Sequence, residues 1–198
     1  MKKRMFNFIF ILSLLIFISV AFSCNIFSKK PGSVNTVEDF TLFDYEGIQH
    51  SLSDYTDSTA IVILFIATQC PVSNVYNSRM ESLFEEYSGK GVAFIGINSN
   101  KQEDIEEVKE HARENNITFT ILKDEKNIIA DKFEASVTPE AYVLNKEFGL
   151  LYHGRIDDSK RESNVSTSDL KSALDEILSG KEVSDPETKA FGCSIKRI

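Results

Sequence analysis

Ile61-Val62-Ile63-Leu64-Phe65-Ile66-Ala67-Thr68-Gln69-Cys70-Pro71-Val72-Ser73 passes from an unbroken apolar run to a cysteine followed by a proline. Six consecutive large apolar residues read as a strand buried on both faces. Beyond it Val72, Val75, Tyr76, Met80, Leu83, Phe84 and Tyr87 recur at steps of three and four, the stripe of an amphipathic helix. Pro71 suits the first turn of that helix, where no amide donor is needed. Cys70 is therefore expected where a core strand ends and a helix begins. Unpaired amides and the positive dipole end at such a place favour a thiolate over a thiol.

The helix ends near Gly89 and Gly91, and Val92-Ala93-Phe94-Ile95-Gly96-Ile97 gives a second buried strand. Strand, helix and strand in this order make a parallel, right-handed crossover. Upstream, Phe40-Thr41-Leu42-Phe43 and Ile48-Gln49-His50 read as two short strands about a turn near Glu46-Gly47, and Ser53-Asp54-Tyr55 as a loop or helical turn. Downstream, Asp104 to Glu114 reads as a helix with Ile105, Val108 and Ala112 inward and its acids solvated. Thr118 to Leu122 follows as a short strand and Asn127 to Phe133 as a short helix. Ala141 to Leu144 and Leu150 to His153 flank Gly149 as a hairpin would. Leu170, Ala173, Leu174, Ile177 and Leu178 mark a last helix ended at Gly180. The class is α/β: a central mixed sheet with a parallel βαβ unit, a C-terminal β-hairpin and helices on both faces.

The chain of 198 residues has room for one ordinary domain with appendages. The expected organisation is a signal peptide at 1–23, a flexible tether at 24–36, a domain at 37–180 and a tail at 181–198 carrying Cys193. The tether contains Pro31-Gly32-Ser33, and the tail shows no periodicity before Phe191-Gly192-Cys193. Net charge is -8, and loss of Lys2, Lys3 and Arg4 with the first 23 residues, which hold no acid, would leave -11. So acidic a body argues against nucleic acid and against binding of the domain surface to anionic lipid. Three cysteines are too few for a disulfide-stapled miniprotein.

Lys2-Lys3-Arg4 precedes an apolar run from Met5 to Phe22 broken only by Asn7, Ser13 and Ser19, the pattern of an export signal. Ala21-Phe22-Ser23-Cys24 resembles a bacterial lipoprotein cleavage box, which implies a lipid on Cys24. Such boxes usually carry Leu where Ala21 stands. The competing expectation is an uncleaved membrane helix, because 18 residues nearly reach spanning length. Either way the domain would be tethered outside the cytoplasm, on the bacterial periplasmic side, where disulfides persist.

The order of these parts, with Val137-Thr138-Pro139 before an antiparallel pair, resembles the thioredoxin fold over roughly Val37 to Gly180. Within that superfamily the chain is similar to the redoxin proteins (AhpC/TSA-type, peroxiredoxin-like). The carriers are Cys70-Pro71-Val72-Ser73, Gly96-Ile97-Asn98-Ser99-Asn100, Thr138-Pro139-Glu140, Gly154-Arg155-Ile156-Asp157-Asp158 and Gly192-Cys193-Ser194-Ile195. The chain departs from thioredoxins in having Ser73 where their second thiol stands and no Trp before Cys70. It departs from peroxiredoxins in Ala67 and Ile63, where they carry Thr and Pro. Their active-site Arg would fall near Pro139 and is missing unless Arg155 reaches in from the neighbouring strand.

The resemblance assigns Cys70 as nucleophile, against the alternative of an inert buried thiol. It makes the Thr138–Pro139 bond cis, placing a free backbone edge beside Cys70 to pair with an extended substrate, against an ordinary loop proline. Ser73 either satisfies a backbone amide in the first turn or donates its hydroxyl to the Cys70 thiolate; both can hold. Thr68 shapes the turn before Cys70 or places a hydroxyl near the sulfur. Cys193 resolves Cys70, or is a mobile tail thiol or a structural bridge; closing so long a loop costs only slightly more than closing a short one. Arg155 with Asp157-Asp158 is a substrate contact or a surface turn. His50, His111 and His153 lack mutual metal spacing, with His111 on a solvated helix, so no metal or other cofactor is implied.

Three functions follow from these residues. The first is a membrane-tethered thiol–disulfide oxidoreductase acting on protein thiols and disulfides. The second is a thiol peroxidase in which Cys70 passes through sulfenic acid. The third is a thioredoxin-fold binding module with little turnover.

Overall fold

A computed structural model describes residues 36–198. The signal segment, Cys24 and nearly all of the tether lie outside the described residues.

A seven-stranded mixed sheet runs in the order β2-β1-β5-β4-β3-β7-β8. Its strands are β1 (Thr41–Asp44), β2 (Gln49–Ser51), β3 (Ala60–Ile66), β4 (Val92–Asn98), β5 (Thr120–Lys123), β7 (Glu140–Leu144) and β8 (Leu150–Gly154). A separate two-stranded sheet joins β6 (Val137–Thr138) to β9 (Cys193–Ser194). The helices are α1 (Pro71–Asn74), α2 (Asn77–Tyr87), α3 (Ile105–Glu114), α4 (Ile128–Lys132) and α5 (Asp169–Leu178).

All seven residues of β3 are buried. Side chains alternate across a strand, so β3 feeds two cores. Ala60, Val62, Leu64 and Ile66 join Tyr76, Met80 and Tyr87 with Val108, Ala112, Leu170, Ala173 and Leu174, residues drawn from α2, α3 and α5 among others. Ile61, Ile63 and Phe65 join Phe40, Leu52, Ile129, Ala130 and Phe133 on the opposite face. Each large aliphatic side chain so buried contributes about 1.5–3 kcal/mol. β3 pairs parallel with β4 from Ala60↔Val92 to Ile66↔Asn98 and antiparallel with β7. The crossover and the hairpin expected from the sequence are both present.

Two features bear on the site. The helix expected from Val72 to Tyr87 is broken between α1 and α2, where the Tyr76 amide donates to the Ser73 carbonyl at 2.9 Å. That tight turn rotates the register, so Tyr76 is buried while Val75, expected inward, is 50% exposed. The tail beyond residue 180, which shows no periodicity, packs along the domain. The Thr188 amide donates to the His153 carbonyl and the His153 amide to the Pro186 carbonyl, β9 pairs with β6, and Ile195 is buried in the second core.

Candidate active site

Cys70 stands between the end of β3 and α1 as the helix N-cap, in extended backbone. The Ser73 amide donates to Cys70 Sγ at 3.2 Å, and the Thr138 carbonyl oxygen lies 3.4 Å from the same sulfur. The Thr138–Pro139 peptide bond is cis. Cys70 is bonded to Cys193, 123 residues away, with 5.9 Å between the Cα atoms.

The tail reaches Cys70 as a strand. Val137 pairs with Ser194 and Thr138 with Cys193, antiparallel. Phe191 meets the Tyr76 ring edge-on at 6.4 Å, and Ile195 is 6% exposed. Beyond them the Lys196 amide donates to Asn100 Oδ1 at 2.7 Å, and its carbonyl accepts from the Lys101 amide at 2.9 Å. The Ile198 amide donates to Asn127 Oδ1 at 3.0 Å. The backbone edge expected to be free for an extended substrate is therefore occupied by the chain's own terminus.

A buried carboxylate holds the loop before Cys70. Glu103 is 1% exposed. Its Oε2 accepts from the Thr68 amide at 2.8 Å and from Asn98 Nδ2; its Oε1 accepts from the Gln69 amide at 3.1 Å and Asn100 Nδ2 at 2.9 Å. Four donors satisfy the lone pairs that burial would otherwise leave unpaired. Lys123 Nζ donates to Asn98 Oδ1 at 2.7 Å and to the Asn100 carbonyl at 2.8 Å. Desolvation pulls the Lys123 ammonium below its ordinary range, partly opposed by the Glu103 and Asp124 charges. Asn100 thus touches both the carboxylate under the Cys70 loop and the backbone of the tail.

On the other side, Arg79 lies 3.6 Å over the Tyr76 ring and pairs with Asp157 at 2.5 Å, while the Tyr76 hydroxyl donates to Asp157 at 2.9 Å. Burial and then the Asp157 carboxylate drive the Tyr76 phenol upward, so it remains a donor. Beneath Pro139, Glu140 accepts from the Ser136 and Val137 amides at 2.8 and 3.1 Å and meets His153 Nε2 at 2.7 Å.

The expected site residues divide accordingly. Cys70, Cys193, Thr138 and Pro139 come together. Ser73 reaches the sulfur through its amide; its hydroxyl instead accepts from the Ala67 amide at 3.2 Å. The Thr68 hydroxyl points to Glu107 at 2.5 Å rather than to the sulfur. Arg155 does not reach the site: its guanidinium clasps Asp169 at 2.9 and 3.1 Å, at the start of α5. His111 is half-buried rather than solvated, and burial pulls its imidazole down. The sequence reading missed Glu103 and Glu107 because acids near a helix start count as solvated when only apolar spacing is scored. Glu103 precedes the N-cap Asp104 of α3, so helical spacing carried no signal for it.

Residues 34–154 match the model of the AhpC/TSA family. The thiol-disulfide oxidoreductase ResA of Geobacillus thermodenitrificans is 24% identical over 151 residues, covering 74% of this chain and 85% of that protein. The chloroplastic peroxiredoxin Q of Sedum lineare is 27% identical over 145 residues, covering 69% and 76%. Among solved structures, a hypothetical protein of Sinorhizobium meliloti is 31% identical with a TM-score of 0.76, over 82% of this chain and 93% of that one.

Proposed function

This chain belongs to the AhpC/TSA family within the thioredoxin-like fold, and from that membership we propose that it is a thiol–disulfide oxidoreductase with Cys70 as nucleophile and Cys193 as the resolving thiol. The observation that carries the reading is the Cys70–Cys193 bond, made by a tail strand paired to Thr138 beside the cis-proline. The Cys70 thiolate attacks one sulfur of a partner disulfide, forming a mixed disulfide and releasing the partner's other thiolate. The Cys193 thiolate then attacks Cys70 Sγ and expels the second partner thiolate. The partner gains two electrons, and the chain ends in the oxidised pair. The basic head, apolar run and Cys24 support export and a lipid anchor, with the domain held at the periplasmic side of a membrane.

A peroxidase reading is supported by the similarity to peroxiredoxin Q. In it a peroxide oxygen is transferred to Cys70, and Cys193 displaces water from the sulfenic acid, reaching the same bond. Exchange is favoured because Ala67 supplies no hydroxyl before Cys70 and Arg155 is committed to Asp169. The reduced chain is treated separately with a model disulfide and with sub-stoichiometric peroxide, and formation of the Cys70–Cys193 peptide is followed on non-reducing maps. Rapid closure with the disulfide and slow closure with peroxide is expected; the opposite order selects the peroxidase. Closure with neither leaves a binding module.

A further inference from the structure

The tail segment Phe191-Gly192-Cys193-Ser194-Ile195 lies against Cys70 as an extended peptide joined to it through a cysteine. Three of its positions are fitted. Two residues before Cys193, Phe191 meets the Tyr76 ring edge-on, and that ring is held by Arg79 over it and by its hydroxyl bond to Asp157. One residue before, Gly192 passes so close that a β-carbon would fall 1.9 Å from the Thr138 carbonyl oxygen. Two residues after, Ile195 is buried in the second core, and its amide donates to the Ser136 carbonyl at 3.0 Å. Ser194 between them is exposed.

The row of backbone groups that Val137 and Thr138 present to β9 holds one strand at a time. With β9 docked Cys70 is 4% exposed, so a partner disulfide reaches the sulfur only when β9 has moved aside. A partner cysteine that follows the same row to Cys70 then passes the same Thr138 oxygen, the same Tyr76 ring and the same apolar hollow. Backbone pairing supplies affinity without regard to sequence, and the flanking side-chain places choose among sequences.

We infer that the tail is a built-in copy of the partner strand, and that it names the partner. The disulfides Cys70 attacks lie in extended segments with an aromatic residue two before the attacked cysteine, glycine immediately before it and a large aliphatic residue two after. The Cys70 thiolate bonds to that cysteine's sulfur, and the partner's other cysteine departs as a thiolate. When β9 returns, the Cys193 thiolate attacks Cys70 Sγ, the partner cysteine departs as a thiolate, and β9 retakes the row. Resolution and release of the partner strand are thereby one event. This rests on the reading of Cys70 as the exchanging nucleophile.

The test uses the reduced full chain carrying Cys193→Ser and short peptides whose single cysteine is a mixed disulfide with thionitrobenzoate. Attack by Cys70 joins peptide to chain and releases the coloured thionitrobenzoate; mass spectrometry locates the adduct on Cys70. Each rate is divided by the rate of the same peptide with glutathione. Phe-Gly-Cys-Ser-Ile should react roughly tenfold faster than Phe-Ala-Cys-Ser-Ile, and faster than Ala-Gly-Cys-Ser-Ile and Phe-Gly-Cys-Ser-Ala. Ile195→Ala, added to the same chain, loosens the tail and leaves the row it covers intact, so all four rates should rise and keep their order. Equal rates for the four peptides, or rates untouched by Ile195→Ala, overturn the inference and leave the exchange reading standing. A folded chain whose Cys70 reacts with none of them in either variant overturns both.

Discussion

Gly192 lies flat against Thr138: a β-carbon added to it would sit 1.9 Å from the Thr138 carbonyl oxygen and 2.6 Å from the carbonyl carbon. The tail and the cis-proline segment therefore meet backbone to backbone, and this contact sets Cys193 opposite Cys70. An alanine there must push the strand outward, at about 1–3 kcal/mol for an overpacked contact. The bond forms only with the strand docked, and each 1.4 kcal/mol or so changes an equilibrium about tenfold. Gly192→Ala should thus weaken closure of the pair roughly tenfold in a glutathione redox titration. An unchanged titration would show that docking of β9 does not govern the pair.

The 123-residue separation of Cys70 and Cys193 makes the bond a large constraint on the unfolded chain. In the chain-entropy description a loop of this length gives about 5 kcal/mol, and cross-links typically deliver about 2–4 kcal/mol. The urea midpoint should fall on adding a reductant, and Cys193→Ser should show the lower midpoint with or without it. A midpoint insensitive to reductant would mean that tail packing alone holds the terminus.

Legibility in the sequence followed the range of the interactions. β3 and β4 could be read because burial on both faces requires unbroken apolar runs, and Pro71 after Cys70 marked the helix start. The break at Val75 and Tyr76 was hidden because spacing of three and four fits a continuous helix as well as two pieces with a tight turn between them. Arg155 stayed open between a substrate contact and a surface turn because adjacency to a strand end does not give direction; Asp169, fourteen residues on, captures it. The tail was opaque for a different reason. β9 has two residues, and its place is fixed by backbone contacts to Thr138, Ser136 and Asn100 side-chain oxygen that no local pattern encodes.

Glu103 couples the Cys70 loop to the tail through Asn100. Glu103→Ala would leave the Thr68 and Gln69 amides without their acceptor and take away the largest of the carboxylate charges that act on Lys123. A loss of roughly 2–4 kcal/mol is expected, the range for unsatisfied buried groups beside a charge. Because Asn100 also holds the Lys196 amide, the variant should close its disulfide more slowly. Urea unfolding and a timed thiol-blocking assay measure the two effects. Loss of stability with wild-type closure would confine Glu103 to a structural role.

Acid should loosen the same junction from below. Burial raises the Glu140 carboxyl, but the His153 bond and the Ser136 and Val137 amides outweigh it and hold the group below its ordinary range. Its contribution to stability is then complete above the unfolded value, about 4.3. As pH falls from there through the lowered folded value, the unfolded chain takes up a proton that the folded chain refuses, and the contribution is lost. Glu140→Gln removes this titration, so the stability gap between wild type and variant should narrow below about pH 4 and stay level above pH 5 or so. Urea unfolding at stepped pH reads the gap directly. Since Glu140 holds the Ser136 and Val137 amides, and Val137 pairs with Ser194, the acid decline should coincide with loss of Cys193 protection in the reduced chain, read as its labelling rate relative to the unfolded chain at the same pH. A gap that stays constant from neutral pH to pH 3, or so, would remove Glu140 as the acid-sensitive support of the tail.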